Sequence, residues 1–264
     1  MSRRQLGIVG AYFAQFLKTR LAYRTDFFVD LVANLLAVGA QLAVLGALFG
    51  KVEALQGWSY HQVLFIYGFS LLPLGLFNLV SVNLYGFAEK YIADGHLDRV
   101  LLRPVNPLAQ VVFESFNISG VNEIILGVGI MAYASAGLDL VWTATDFLAA
   151  LVFAPAAALV YVGVFLGLTC VSFWSEDRLG LAPPVYNVIR FSRYPLTIYS
   201  RWVQIFLMFV LPFAWVAFYP ATWFVGAPEF RRLALLTPVV GLTVFGLAYS
   251  LWSRGLRRYG STGS

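Results

Sequence analysis

The sequence predicts an all-α integral membrane protein with six transmembrane helices, preceded by an N-terminal amphipathic helix that lies in the membrane interface. Three observations support this prediction. Hydrophobic residues make up 60% of the 264 residues, and charged residues make up only 12%. A soluble domain has about 25% charged residues, so this composition requires lipid to cover the apolar surface. The mean hydropathy is +0.76, and the apolar residues fall into six runs long enough to cross a bilayer.

Each run has about 20 or more residues, the length that an α-helix needs to span about 30 Å of hydrocarbon. Pro195, Pro212 and Pro220 interrupt the region of the fifth run, so its boundaries are the least defined. Six of the seven tryptophans fall at or just beyond a span end, where the indole N–H reaches water. The predicted spans are residues 27–49, 63–87, 108–134, 147–174, 199–219 and 233–252.

Residues 1–25 precede the first span and form the predicted interfacial helix. Apolar side chains recur there at helical spacing, for example Leu6, Val9 and Phe13. The segment lacks an unbroken apolar run followed by a small-residue cleavage site, so we expect no secretory signal peptide. Residues 1–264 are therefore predicted to form one transmembrane domain.

The distribution of basic residues predicts the orientation in the membrane. Fifteen of the eighteen Lys and Arg residues lie in the N-terminal segment, the second-to-third and fourth-to-fifth connections, and the C-terminal tail. Only Lys51, Arg231 and Arg232 lie on the other side. Because loops rich in Lys and Arg stay in the cytoplasm, both termini are predicted to be cytoplasmic. These membrane-flanking residues account for the net charge of +5, and we expect no nucleic-acid partner.

The predicted cytoplasmic connection between the second and third spans, residues 88–107, carries the most informative pattern. Its helical first half ends at Gly95, and Pro104 and Pro107 end a second short turn that Asp98 is placed to cap. Two interpretations stay open for this loop: an ordinary interfacial helix, or a docking surface in which charges surround an apolar knob. The apolar residues of the loop are Leu97, Val100, Leu101 and Leu102.

The loop resembles a known motif. Asp94-Gly95-His96-Leu97-Asp98, followed by Leu101-Leu102-Arg103-Pro104-Val105-Asn106-Pro107, is similar to the inner loop of type-two ABC exporter permeases, in the six-span subgroup without a soluble domain. The resemblance extends to the interfacial helix, the six spans and the stretches 211–215 and 219–221. It implies the type-two ABC exporter fold and a permease subunit of an ATP-driven exporter in the bacterial cytoplasmic membrane.

The resemblance also implies partners and a coupling site. In this family the loop is a coupling helix seated in a cleft of the ATPase subunit, and two permeases, identical or related, assemble with a cytoplasmic ABC ATPase dimer. ATP and Mg are expected on the ATPase, with no cofactor in this chain. A short external re-entrant element of the family is expected at residues 220–232. The coupling residues implied here are Glu89, Asp94, Gly95, Leu97, Asp98, Leu101, Leu102, Arg103 and Pro104.

Polar residues within spans are the other candidate functional residues, because burying them in hydrocarbon is costly. They are predicted to line a substrate path or a polar seam between two permeases, or else to pair helices within one subunit. Glu123, placed near mid-membrane by the predicted third span, is the strongest functional candidate, whereas Glu114 lies near the cytoplasmic end. In the first span Asp30, Asn34 and Gln41 share a helical face; in the third, Gln110, Glu114 and Asn117 share one face and Ser119, Asn122 and Glu123 nearly the opposite one.

Motifs for other chemistries are absent or misplaced. Residues 46–51 lack the spacing and the Ser or Thr of a P-loop, so this chain is not expected to hydrolyse ATP. The two histidines, His61 and His96, are predicted to lie on opposite sides of the membrane, which excludes a shared metal or nucleophile site within one subunit. Two alternatives stay open. A channel or secondary carrier needs pore-lining rings or inverted repeats, and an intramembrane lipid-modifying enzyme needs ionisable residues that converge near one interface; the sequence shows neither clearly.

Overall fold

The computed structural model describes residues 24–175 and 181–260. The described residues are helical and contain no β-strand, and most of the predicted interfacial helix, residues 1–25, lies outside them. The helices are α1 (Arg24–Phe49), α2 (Tyr60–Ser81), α3 (His96–Leu101), α4 (Pro107–Phe113), α5 (Ser119–Gly137), α6 (Ala144–Val171), α7 (Ala182–Val188), α8 (Arg201–Ile205), α9 (Phe218–Thr222), α10 (Pro228–Ala234) and α11 (Thr237–Arg258).

Five helical segments are long and apolar enough to cross a membrane, and a bent pair of helices could supply a sixth. They confirm the all-α membrane fold and overlap the first, second, third, fourth and sixth predicted spans. Their bounds are Leu31–Phe49, Tyr60–Ala93, Ser119–Gly137, Ala144–Val171 and Glu229–Arg258.

Two closely packed helix pairs form the centre of the bundle: α2 with α5, and α6 with α11. Glycines allow the close approach in both pairs. A Cβ atom on Gly75 of α2 would lie 2.5 Å from the carbonyl oxygen of Gly120 in α5, and one on Gly163 of α6 would lie 2.8 Å from the amide nitrogen of Phe245 in α11. The α2 helix also packs on α6, which joins the two pairs.

The connections define two ends of the bundle. At the loop end, which carries residues 88–107, the Phe87 ring centroid lies 5.2 Å from that of Trp252 near the end of α11. The opposite end carries the α1–α2 and α5–α6 connections, with Trp58 and Trp142. A segment that runs from one end of the bundle to the other therefore crosses the membrane together with the bundle.

The third predicted span, residues 108–134, is wrong as a single helix, because α4 ends at Phe113 and α5 begins at Ser119. Polar side chains between them bond to another segment or to a nearby backbone amide instead of continuing a helix. Ser115 donates to Asn83 at 2.7 Å, and the Asn117 side chain accepts from the Ser119 amide at 3.0 Å. The shared helical face predicted for Gln110, Glu114 and Asn117 therefore does not exist.

The fifth passage between the two ends is made by residues 182–198, the crossing segment. It begins with α7, which follows α6 from the loop end. Further along, the Ser192 hydroxyl lies 3.1 Å from the Tyr161 hydroxyl, part way along α6. The Thr197 hydroxyl then accepts from the indole N–H of Trp58 at 2.7 Å, at the opposite end.

Residues 201–222, which cover most of the fifth predicted span, form two helical arms bent by 79°. The Phe213 ring, at the bend, lies 5.2 Å from the Tyr161 ring inside the bundle. The Phe218 ring lies 5.5 Å from the Trp58 ring at the opposite end. This helical hairpin therefore enters the bundle from the opposite end and returns to it, so a single spanning helix at residues 199–219 is wrong.

Proline chemistry explains the bend in the helical hairpin. Pro212 has no N–H to donate, and a residue that precedes proline is sterically disfavoured in the helical region. Leu211 accordingly has extended dihedral angles, φ −114° and ψ 93°. The hairpin continues through a turn into α10. In this turn the Val225 carbonyl accepts from the side-chain amide of Gln62 in α2 at 3.1 Å.

Candidate functional site

The loop of residues 88–107 is an ordered, three-part structure. A π-helical turn, Ala88–Ala93, leads to Gly95, whose φ of +69° lies in the left-handed region that glycine adopts without strain. The short helix α3 follows. Asn106 then starts α4, because its side-chain oxygen accepts from the Ala109 amide at 3.1 Å.

Buried side chains fasten this loop to the bundle. Leu97 is fully buried and Val100 is 8% exposed, so the inner face of α3 packs against the rest of the protein. The Tyr91 ring stacks on Phe87 with centroids 5.2 Å apart, and Phe87 in turn packs on Trp252 of α11. These ring contacts connect the loop directly to α11.

Polar contacts connect the loop to the α4 region. The buried Gln110 side chain donates to the carbonyls of Val100 at 3.1 Å and Val105 at 3.0 Å. Lys90 forms a salt bridge with Glu114 at 3.3 Å, and the Tyr91 hydroxyl donates to the same carboxylate. Glu114 thus belongs to the loop and its supports, not to the interior of a span.

The outer face of the loop is apolar and exposed. Leu102 is 85% exposed and Leu101 is 41% exposed, whereas Leu97 and Val100 point inward. The structure therefore divides the apolar patch predicted from the sequence into an anchoring half and a free half. Of the other expected coupling residues, Glu89, Asp94, Arg103 and Pro104 are exposed, and Gly95 and Asp98 are half-buried.

The residue that follows α11 also lies close to this loop. Burial, together with the Asp98 carboxylate, raises the pKa of the Tyr259 hydroxyl above its usual value. The Tyr259 ring lies 6.3 Å from the ring of Phe173, which follows α6. The ends of α6 and α11 and the coupling loop therefore form one continuous surface at the loop end.

A second candidate site is a polar cavity of about 190 Å³ between α1, α5 and the crossing segment. It contains both signs of charge, which is unusual within a membrane-spanning bundle. We call it the charged cavity. Its polar lining residues are Asn34, Gln41, Glu123, Tyr186, Arg190 and Arg193, and its apolar ones are Ala37, Val38, Leu71 and Ile189.

One wall of the charged cavity is organised around Arg193. Its guanidinium Nη1 donates to the side-chain oxygen of Gln41 at 2.5 Å, and its guanidinium carbon Cζ lies over the Tyr67 ring, 5.7 Å from the centroid. The Tyr67 hydroxyl donates to the same Gln41 oxygen at 2.7 Å. Gln41 thus joins α1 to both α2 and the crossing segment.

The other wall is organised around Glu123. Both of its carboxylate oxygens accept from the side-chain amide nitrogen of Asn78, at 2.8 and 3.0 Å. The same nitrogen lies 3.2 Å from the Tyr186 hydroxyl of α7. Because α5 begins at Ser119, Glu123 lies only about 6 Å into the helix at 1.5 Å per residue, which is nearer the loop end than the predicted mid-membrane position.

The structure brings together some predicted path residues and separates others. Asn34, Gln41 and Glu123 line the charged cavity. Asn122 is buried elsewhere, and its side-chain nitrogen has no hydrogen-bond partner among the described residues. Asn117 lies in the turn before α5. The side chain of Asp30 is outside the described part of the structure.

Sequence analysis missed Arg190 and Arg193, which it assigned to a cytoplasmic loop. The ionisable residues, which were not expected to converge, do so in part: Glu123 and both arginines line one cavity. The signal was present but weak: an apolar stretch, residues 181–189, directly precedes the arginines. Two adjacent prolines in that stretch obscured it as a helical passage.

Comparison with known protein families identifies the chain. Residues 35–263 match the ABC-2 family transporter proteins. No curated protein and no solved structure matches this chain. Members of this family are transmembrane subunits without an ATPase domain, and they work with ABC ATPase subunits. The match covers most of the chain and confirms the resemblance: this multi-pass membrane protein belongs to the ABC-2 family and is a permease component of an ABC transporter.

Proposed function

We propose that this chain is one permease of an ATP-driven exporter in a bacterial cytoplasmic membrane. Two permeases, identical or related, form the substrate path, and two cytoplasmic ATPase subunits bind ATP and Mg. The loop end faces the cytoplasm, with both termini on that side. Residues 88–107, the coupling loop, receive the movement of the ATPases.

The exposed leucine pair of the coupling loop is the observation that carries this proposal. Leu101 and Leu102 project from a segment that is otherwise fixed by buried side chains, so the pair is both accessible and rigidly held. An exposed apolar anchor rimmed by charged residues is the arrangement expected at a protein interface. Glu89, Asp94 and Arg103 supply those charges.

The contacts of the coupling loop suggest how movement would pass to the spans. A push on α3 acts on α11 through Phe87 and Trp252, and on α4 through Gln110. Leu97, which is fully buried, anchors α3 to the permease and does not contact the ATPase. We therefore divide the nine expected coupling residues into positioning residues and residues that touch the partner.

The corrected topology keeps the proposed orientation. In the structure Arg201 lies at the opposite end of the bundle, and Arg190 and Arg193 lie in the crossing segment, between the two ends. The division of Lys and Arg between the two sides therefore changes from fifteen-to-three to twelve-to-four. This excess still favours a cytoplasmic loop end. In this orientation the helical hairpin of residues 201–222 is an external re-entrant element, and residues 223–234 lie at the external surface.

The second permease is proposed to contact α1. This helix is mostly uncovered: Phe28 is 65% exposed, and Leu36 and Val44 are each 68% exposed. Lipid covers such a surface in a single subunit, while a second permease would cover it in a dimer. The charged cavity beside α1 would then lie close to the dimer seam.

The coupling assignment is tested by replacing both Leu101 and Leu102 with alanine. If these leucines are interface anchors, their removal should cost about 2 kcal/mol or more of association free energy. ATPase binding should then weaken roughly thirtyfold. The measurement is co-purification of the ATPase with the permease, followed by transport in sealed vesicles.

A matched control is available at the opposite end of the bundle. Leu235 and Leu236 are also adjacent and are 55% and 44% exposed. Their double alanine variant should retain full ATPase binding and transport. Unchanged ATPase recovery and transport with the Leu101/Leu102 variant would show that the loop is only an interfacial helix.

The orientation is tested by site-directed reporters. Reporters after residue 264 and within residues 90–100 should be cytoplasmic, and one within residues 52–58 should be external. Trp202, which is 81% exposed, gives a sharper test: Trp202→Cys should be labelled from outside, because the helical hairpin returns to the external end. External labelling within residues 90–100 would overturn the orientation.

A further inference from the structure

We propose that the charged cavity binds a zwitterionic headgroup, with its ammonium at Glu123 and its phosphate or carboxylate at Arg193 and Arg190. This inference rests on the proposed permease function, since it makes the charged cavity a substrate site. It adds the chemical class of the substrate, which the family match leaves open.

The charges in this cavity are not paired with each other. Among the described residues, the salt bridge within 4.0 Å joins Lys90 and Glu114, not Glu123 and an arginine. Glu123 accepts only from an amide there, and Arg193 donates to an amide oxygen. The Arg193 Nε atom is buried and has no hydrogen-bond partner in the described part of the chain.

Opposite charges that line one cavity without contacting each other each lack a counter-charge. A desolvated charge without a counter-ion is costly, and a ligand that supplies counter-charges removes that cost. An ammonium group donates hydrogen bonds to a carboxylate such as Glu123. Phosphate or carboxylate oxygens accept hydrogen bonds from guanidinium groups, whose planar fork matches them.

Both signs of charge are needed for selectivity. An anionic headgroup such as phosphatidylglycerol would satisfy Arg190 and Arg193 with its phosphate but would leave Glu123 without a counter-charge, because its glycerol is neutral. A cationic headgroup would satisfy Glu123 and be repelled by the arginines. Unpaired or like charges against the wrong ligand produce specificity, so a ligand with both charges is preferred over either.

The size and remaining lining of the charged cavity agree with a compact polar group. Its volume is about 190 Å³, and Asn34 and Tyr186 add hydrogen-bonding groups. Val38 and Leu71 form an apolar part of the wall, which suits the carbon atoms between the two charges of the ligand. A headgroup attached to lipid chains and a small free zwitterion share this chemistry.

The test is lipid binding to the full-length purified permease, measured by native mass spectrometry. Phosphatidylethanolamine and phosphatidylglycerol with identical chains supply a zwitterionic and an anionic headgroup. Wild-type protein should bind the former at least roughly tenfold more tightly, since charge-assisted hydrogen bonds are the strong ones. Glycerophosphoethanolamine, which lacks chains, is the competitor: displacement indicates that a soluble zwitterion suffices, and no displacement indicates that a lipid is the ligand.

Variants identify the residues responsible. Glu123→Gln should abolish the preference for phosphatidylethanolamine, and Glu123→Asp should retain most of it. Arg193→Gln should weaken binding of both lipids, and Arg193→Lys should weaken it less. Arg201→Gln removes an exposed arginine outside the charged cavity and should change neither affinity.

Two results would overturn the inference: equal binding of both lipids by the wild type, or an unchanged preference in Glu123→Gln. If Glu123→Gln is poorly folded, Glu123→Asp keeps the test valid. It retains the negative charge, so a folded Glu123→Asp variant must keep the preference for phosphatidylethanolamine. If the charged cavity does not select a zwitterion, the wild-type permease should still co-purify with the ATPase. If the proposed permease function is wrong, that co-purification should be absent.

Discussion

Replacement of Gly120 by valine is expected to separate α2 from α5 and to destabilise the protein by ~3 kcal/mol or more, at the upper range for overpacking. A side chain at Gly120 would collide with the carbonyl oxygen of Gly75 and with the backbone of Leu79. These neighbours are backbone atoms, which cannot rotate away. The α2–α5 pair carries both Asn78 and Glu123, so the charged cavity should be lost with it.

The matched control for Gly120 lies on the same helix. Gly129 of α5 is exposed, and a Cβ atom there meets nothing within 4 Å. Gly129→Val therefore tests the effect of valine in α5 without the collision. Unfolding of the detergent-solubilised protein should show a much lower midpoint for Gly120→Val than for Gly129→Val. Equal midpoints would mean that the close approach of α2 and α5 does not stabilise the fold.

The long hydrophobic helices were predictable because hydrocarbon imposes a length that is easily recognised in a sequence. Spans such as Ala144–Val171 are unbroken apolar runs, and only their ends shifted by a few residues. The coupling loop was also recognisable, since its motif combines charges, glycine and proline with leucines. What the sequence did not reveal was the direction of each leucine, because Leu97 packs inward whereas Leu102, just after the end of α3, is exposed.

The crossing segment could not be predicted from hydropathy. It consists of short pieces, a seven-residue α-helix and 3-10 helices of five and three residues, and it contains two arginines. Positive charge normally marks a cytoplasmic loop, so Arg190 and Arg193 were placed outside the membrane. Only tertiary contacts, such as those of Arg193 with Gln41 and of Thr197 with Trp58, show that this segment passes between the two ends of the bundle.

Only some of the residues of the charged cavity could be predicted from the sequence. Gln41 and Glu123 stand out as polar residues in apolar runs, and both were selected on that ground. Their common cavity depends on how α1 lies against α5 and the crossing segment, which no helical periodicity encodes. The break before Ser119 also changed the depth of Glu123, because a helical wheel assumes an unbroken helix.

Replacement of Gln110 by leucine is expected to loosen the coupling loop without removing its exposed leucines. The change removes the side-chain donor that now serves the carbonyls of Val100 and Val105. Val100 keeps the Arg103 amide as a donor, so the part-buried Val105 carbonyl is the group that loses most. An unsatisfied buried polar group costs ~1–3 kcal/mol, so local opening should become easier by about 2 kcal/mol, or roughly thirtyfold. Hydrogen exchange should speed up at the amides of Leu102 and Arg103, whose acceptors lie within this loop.

Transport should then fall more than ATPase binding, because Leu101 and Leu102 remain available while their support has weakened. Gln204→Leu is the control: Gln204 also donates to a backbone carbonyl, that of Tyr199 at 2.8 Å, but in the helical hairpin at the other end. It should leave exchange at the coupling loop unchanged. If Gln110→Leu alters neither the exchange of this loop nor the transport achieved per ATP, then rigid support of α3 is not what links the ATPase to the spans. The contact through Phe87 and Trp252 would in that case carry the movement alone.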